Sequence, residues 1–329
     1  MIPISILDLA SVAEGRSIAD ALQMTRKMAV AAEEHNYSRY WLAEHHGMRS
    51  VASSATAVLL SHIGAATNKI RIGSGGVMLP NHSPLVIAEQ FGTLAELYGN
   101  RIDLGLGRAP GTDMRTSQAL RRNSEMSVDQ YPQDILELQG YLGAESRPVL
   151  SIPGHNTHVP LWLLGSSLYS AQLAAQLGLP FAYASHFAPD QLIDALTIYR
   201  NQFKPSEQNP QPYSMAGIMV VLADTEEEAN YQFTSVQQKF VQMHTSRANT
   251  PFPKPDKTIS ESWTPAEKHM VNHILQYALV GTKSSVRAKL DAFINQTAID
   301  ELIVSFPIHE PKARLRSLTL MAELRDELQ

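Results

Sequence analysis

The segment Pro3-Ile4-Ser5-Ile6-Leu7-Asp8-Leu9-Ala10-Ser11-Val12-Ala13-Glu14-Gly15 decides between two architectures. Pro3–Leu9 is a short apolar run and predicts a first strand. A doubly wound dinucleotide-binding sheet requires a Gly-rich loop directly after that strand, then a helix and an acidic residue. Asp8–Gly15 carries no such loop. Seven further strand-like runs follow: Arg39–Ala43, Ile70–Val77, Ile102–Gly107, Pro160–Gly165, Pro180–Ser185, Met215–Leu222 and Glu301–Phe306. Most are apolar on both faces, as strands between a packed interior and covering helices must be. Eight such units without the dinucleotide loop predict an α/β fold, a (β/α)8 TIM barrel.

Helical periodicity fills the intervals at Ala19–Glu34, Ala55–Thr67, Pro84–Tyr98, Leu168–Leu177 and Pro189–Phe203. Pro84 suits a first helical turn, where a missing N–H costs nothing, and Gly178 suits a C-cap. Two intervals are too long for simple crossovers, so insertions are expected after strands 4 and 7. Arg108–Val159 holds a helical pattern near Asp129–Leu142. Asp224–Ala298 holds two helical patterns around Asn249–Thr264. Three alternating prolines (Pro251, Pro253 and Pro255) bar Asn249–Asp256 from helix and central strand. A mobile lid is the expectation for Asn249–Thr264. No repeat and no linker divides the chain, so residues 1–329 read as a single domain.

Composition narrows the function classes. The chain has 329 residues, 44% hydrophobic and 18% charged, which suits a sizeable core. A net charge of −5 with scattered Lys and Arg offers no footprint for nucleic acid. No run reaches eighteen apolar residues, and the N-terminus reads as a strand rather than a signal peptide, so no membrane partner is expected. The lack of cysteine removes disulfides, thiolate metal sites and a Cys nucleophile. A cytoplasmic protein is the expectation.

In a barrel, chemistry collects at the carboxyl ends of the strands. The second strand runs into Glu44-His45-His46. One imidazole there can reach the mouth as a proton donor or acceptor, with Glu44 to orient it and the other facing away into packing. Adjacent histidines rarely chelate one ion and no HExxH spacing exists, so no metal is expected. The third strand carries Gly73, Gly75 and Gly76 ahead of Met78, which marks either close approach by a ligand or a bend filled by a neighbour. The fourth ends in Gly105-Leu106-Gly107-Arg108-Ala109-Pro110-Gly111, where Arg108 either grips an anion or makes a rim salt bridge. The fifth runs through Gly165-Ser166-Ser167-Leu168-Tyr169-Ser170 straight into a helix. That is either an anion site of N–H groups and hydroxyls or an ordinary N-cap. The sixth ends in Ser185-His186-Phe187, where a substrate can lie or a polar turn can cap a helix.

As an ordered set these ends resemble the luciferase-like monooxygenase family. The resemblance is carried by Glu44-His45-His46, Gly75-Gly76-Val77-Met78-Leu79-Pro80, Gly105-Leu106-Gly107-Arg108 and Gly165-Ser166-Ser167-Leu168-Tyr169-Ser170. It spans residues 1–190 and resumes at Glu301–Leu328. The resemblance implies a flavin-dependent monooxygenase that uses reduced FMN and dioxygen on a small-molecule substrate, with the FMN reduced by a separate NAD(P)H-dependent flavin reductase. Arg108 then binds the FMN phosphate, with Gly165, Ser166, Ser167 and Ser170 completing the site. Gly75-Gly76 carries the family's non-prolyl cis peptide beside the flavin ring. His45, with Glu44, is the polar group near the reacting atom. Met78, Ser185, His186 and Phe187 are expected around the substrate, and Trp41, Met78 and Phe187 as an apolar rim. A homodimer is expected. Two other readings remain open at this level: a deazaflavin enzyme that transfers hydride, and a flavin carrier without catalysis. The long second insertion departs from the family pattern and leaves the substrate open.

Overall fold

The computed structural model describes residues 2–109, 114–120, 128–145, 147–243, 245 and 248–327. Pro110 and Gly111 of the fourth-strand turn, other parts of the first insertion, and Leu328 lie outside them. The elements run β1 (Ile4–Asp8), α1 (Ile18–Glu34), β2 (Arg39–Leu42), α2 (Thr56–Gly64), β3 (Arg71–Met78), α3 (Pro84–Tyr98), β4 (Ile102–Gly107), α4 (Met114–Leu120) and α5 (Tyr131–Leu142). They continue with β5 (Leu161–Gly165), α6 (Leu168–Leu177), β6 (Phe181–Tyr183), α7 (Leu192–Gln202), β7 (Ser214–Leu222), α8 (Glu226–Met243) and α9 (Pro265–Ile274). The last are β8 (Leu279–Gly281), α10 (Lys283–Thr297), β9 (Glu301–Ser305) and α11 (Pro311–Glu327).

The strands pair in parallel from β1 through β7, β7 pairs with β9, and β9 returns to β1, which closes an eight-stranded barrel. The extra strand β8 pairs only with Val220–Leu222 of β7, outside the ring. Three residues between two helical patterns give no usable periodicity, and the sequence reading missed it. Local signals otherwise act where expected. Ser17 and Asp20 form a capping box on α1, Pro84 opens α3, and Gly178 ends α6 at φ +63°. A Cβ at Gly178 would also lie 2.5 Å from the Lys204 carbonyl oxygen. Among the described residues, no helix is long and apolar enough to cross a membrane.

The barrel interior is filled in layers, and the layering positions the site. Lowest, at the amino ends of the strands, Arg39 bridges Asp103 (2.7 Å) and Glu301 (3.1 Å), while Arg71 also binds Asp103. Ser5 and Tyr213 donate to Glu301. Above this, Trp41 and Trp162 meet edge to face at 5.1 Å among Leu7, Ala182, Met215 and Ile303. Trp41 is fully buried and its Nε1 donates to Asp103 at 3.1 Å. It is therefore a floor plug beneath the mouth and not the rim residue expected from sequence. Toward the carboxyl ends the inward positions include small residues: Ala43, Gly75, Gly107 and Gly217. A barrel capped by such residues cannot fill itself, and a chamber opens there.

Candidate active site

The chamber has a volume of about 570 Å³ and opens at the carboxyl ends of the strands. Its residues divide by chemistry into an anion end, a flat middle and an apolar cover.

At the anion end, Gly165, Ser166, Ser167 and Ser170 line the wall where β5 turns into α6. Ser167 is the N-cap residue of α6, yet its side chain makes no capping hydrogen bond. The first N–H groups of the helix and both hydroxyls thus remain available to a ligand, which weighs against the plain N-cap reading. Gly165 is required by packing, because a Cβ there would lie 2.1 Å from the Ser170 hydroxyl oxygen. Arg108 follows β4 and stacks its guanidinium 4.1 Å from the ring centre of Tyr169, in the first turn of α6. Among the described residues no carboxylate pairs with Arg108, and its recorded contact is the Tyr169 ring. The Tyr131 hydroxyl, buried and within the fields of Tyr169 and Arg108, has no hydrogen-bond partner among the described residues. It was not singled out from sequence.

In the middle, the peptide between Gly75 and Gly76 is cis. Both glycines line the chamber, but their missing side chains are explained by the protein itself. A Cβ on Gly75 would meet Leu7 at 2.6 Å, and one on Gly76 would meet the Gly105 carbonyl oxygen at 2.7 Å. Both readings of the glycine run therefore hold together: the neighbours fill the bend, and the bend presents backbone to the cavity.

The Glu44-His45-His46 turn departs from expectation. Glu44 and His46 meet each other on one side, while His45 takes the other. His45 faces the chamber, and its Nδ1 is buried without a partner. Glu44 does not hydrogen-bond it. The carboxylate instead contacts Nε2 of His46 and of His82, each at 2.8 Å. Burial raises the Glu44 pKa, but the bonds and charges of His82 and His46 outweigh it and hold the group below its ordinary value. Burial also lowers the His45 pKa, opposed by the charge of Glu44 and aided by His46. Glu44 thus acts on His45 through its field and not by orienting it. His46 does face away from the chamber, but into this polar cluster and not into packing.

At the end of β6, His186 lines the chamber with its ring edge to face against Phe187 at 4.8 Å. A Cβ on Gly217 would lie 2.5 Å from His186 Nδ1, so that glycine makes the space for the imidazole. Burial, with a smaller contribution from His45, pushes the His186 pKa down to about 4. Met78 and Phe187 reach the chamber. Ser185 does not. It is fully buried and donates to the Gly217 carbonyl at 2.6 Å, which pins the end of β6 to β7. It braces β6 against β7 and does not line the chamber.

The cover comes from the second insertion: Val236, Phe240 and Met243 of α8, Phe252, and Ile274 of α9. Asn249–Thr264 does reach the mouth, but its first part is strapped down and not loose. Phe252 exchanges backbone hydrogen bonds with Val12 and Glu14, both at 2.8 Å. Asn249 bonds the backbone of Gly47 and Arg49, and Lys239 Nζ donates to the carbonyls of Ala248 and Thr250. The later part forms a 3-10 turn at Ile259–Ser262 before Thr264 caps α9. Asp8 and Arg314 also border the chamber, joined at 2.6 Å, with Thr25 and Tyr40 completing the Asp8 shell. Asp8 stood in plain view at a strand end. Its partner, 306 residues away in α11, gave no local signal.

Comparison with known proteins agrees with this geometry. The model of the family described as luciferase-like monooxygenase matches residues 2–301. The chain belongs to the luciferase-like monooxygenase family. Its members are flavin-dependent oxidoreductases, and so is this chain. It is 49% identical to a luciferase-like monooxygenase of Escherichia coli strain K12, over 99% of this chain and 98% of that one. It is 32% identical to the N-acetyl-S-alkylcysteine monooxygenase of Bacillus subtilis strain 168, over 98% of each. Among solved structures, apo-MsnO8 superposes with a TM-score of 0.88 at 34% identity, covering 99% of both chains. The eight-stranded barrel is therefore the family fold.

Proposed function

We propose that the chain is a reduced-FMN monooxygenase of a small, largely apolar organic substrate. The observation that carries this reading is the convergence of Arg108, Tyr169 and an uncapped α6 N-terminus at one end of a chamber whose far end is apolar. A flavin phosphate fits the first end, where hydroxyls, N–H groups and a guanidinium lack protein acceptors among the described residues. A flat ring fits the Gly75-Gly76 backbone. When bound, reduced FMN supplies the two-electron activation of dioxygen.

The chain's own residues do the rest. Arg108, Ser166 and Ser167 hold the phosphate, and Ser170 packs behind them. His45, kept neutral by burial, offers Nδ1 to the reacting centre and can exchange a proton with the substrate. His186, neutral above about pH 4, adds a second polar group. Phe240, Phe252, Met219 and Ile303 exclude water, which limits wasteful discharge of the activated oxygen. In this reading, as the family resemblance implies, the flavin arrives already reduced by a separate NAD(P)H-dependent reductase.

The test supplies photoreduced FMN anaerobically, then air, with candidate thioethers, ketones and alkanes. Dioxygen uptake with an oxygenated product, and less hydrogen peroxide when substrate is present, is expected. Binding without turnover of any substrate indicates a carrier. Reduction of a substrate by reduced deazaflavin, with no response to FMN, replaces the proposal by hydride transfer.

A further inference from the structure

The proposed reaction leaves one buried cluster unused. Glu44 is 2% exposed, and its Oε1 lies 2.8 Å from Nε2 of His46 and 2.8 Å from Nε2 of His82. The three ligand-type atoms all fall within 4.8 Å of one another. Glu44 and His46 come from the turn after β2, and His82 closes the 3-10 turn Leu79–Asn81 after β3. Both Nε2 atoms approach the same carboxylate oxygen, and the two imidazole planes are tilted by 49° to each other.

Three other buried carboxylates each meet a permanent cation: Asp8 meets Arg314, while Asp103 and Glu301 meet Arg39. Glu44 is faced by two imidazoles. A buried carboxylate needs a counter-charge, and two histidines with one carboxylate are a donor set that suits zinc and its neighbours. We propose that Glu44, His46 and His82 bind a divalent transition-metal ion of the zinc type. Metal bonds of about 2.0–2.2 Å place tetrahedral donors about 3.3–3.5 Å apart. Binding would widen the 2.8 Å carboxylate–imidazole separations slightly and hold the two nitrogens, already within 4.8 Å, at that spacing. Three protein donors leave a position for water. The ion ties the turns after β2 and β3 on the side of the strand end opposite His45. The spacing rules that argued against a metal are not violated, because the third ligand comes from the neighbouring strand and not from a local motif.

The proposal stands independently of the flavin reading. The full chain, stripped with a chelator, is titrated with zinc chloride by calorimetry and with cobalt(II) chloride by visible absorption. One equivalent of zinc is expected, with a rise in thermal midpoint. Loss of an outer partner alone costs about 10–100-fold in metal affinity, so His82→Ala, which removes a ligand, should weaken zinc by at least about 100-fold. Glu44→Gln should do the same. Circular dichroism checks folding. If Glu44→Gln does not fold, His82→Ala, at a partly exposed site, decides. His273→Ala controls for the exposed stacked pair His269 and His273. FMN affinity, measured in parallel, should not change in His82→Ala. Absence of saturable zinc binding overturns the proposal, as does binding that survives His82→Ala or is lost in His273→Ala.

Discussion

Replacing Arg108 by alanine tests the anion end most directly. The guanidinium is held over Tyr169 and has no carboxylate partner among the described residues, so it is already placed for a phosphate. A hydrogen bond to a charged group contributes about 1.5–3 kcal/mol. Arg108 is partly exposed, and solvent screens it, so the lower part of that range applies, about 1.5–2 kcal/mol. The stacking on Tyr169 is present with and without ligand and cancels from the difference. Arg108→Ala should therefore raise the FMN Kd by about 10- to 30-fold at moderate salt. Arg108→Lys should recover only part of this, because an ammonium neither stacks as a plane nor binds two oxygens at once. The assay is quenching of flavin fluorescence, run in parallel with FMN and riboflavin. Riboflavin lacks the phosphate, so its affinity should be the same for the native chain and Arg108→Ala. An equal loss for both ligands, or no loss for FMN, refutes the assignment and leaves Arg108 as a rim residue.

Ser167→Ala should weaken FMN by about 0.5–1.5 kcal/mol while lowering thermal stability little, because the side chain makes no capping bond; a pure stability loss would restore the N-cap reading. His45→Ala should bind FMN nearly normally yet oxidise substrate about 10²–10⁴-fold more slowly and release hydrogen peroxide, whereas undiminished turnover would remove His45 from the chemistry. His186 makes acid stability measurable. Its pKa is about 4 in the folded chain against an ordinary 6.5, so from pH 6.5 down to 4 the unfolded chain takes up a proton that the folded chain refuses. Stability from this group is fully present above pH 6.5 and falls by up to about 3 kcal/mol toward pH 4. Urea unfolding of His186→Gln should show a shallower slope in that window, and an identical slope would place the titration elsewhere.

The alternation of apolar runs, the missing loop after Leu9 and the ordered strand ends carried the barrel, the insertions and the family. Each is a short-range pattern, and short-range patterns are written in the chain. Pro84 and Gly178 act locally for the same reason. What failed were statements about partners. Glu44 sits next to His45 in sequence, but the two side chains leave the chain on different sides, and the carboxylate meets His46 and the distant His82. Ser185 had the chemistry of a substrate contact, and the Gly217 carbonyl claimed it. Trp41 had the bulk of a rim residue, and the inward pleat of β2 buried it. Asp8 found Arg314 across nearly the whole chain. The chamber itself belongs to no motif. It exists because barrel closure brings the small residues Ala43, Gly75, Gly107 and Gly217 from four strands to one chamber wall, beside the bulk of Trp41 and Trp162. Sequence determines which way each strand's side chains alternate; only closure of the barrel decides which of them share a layer.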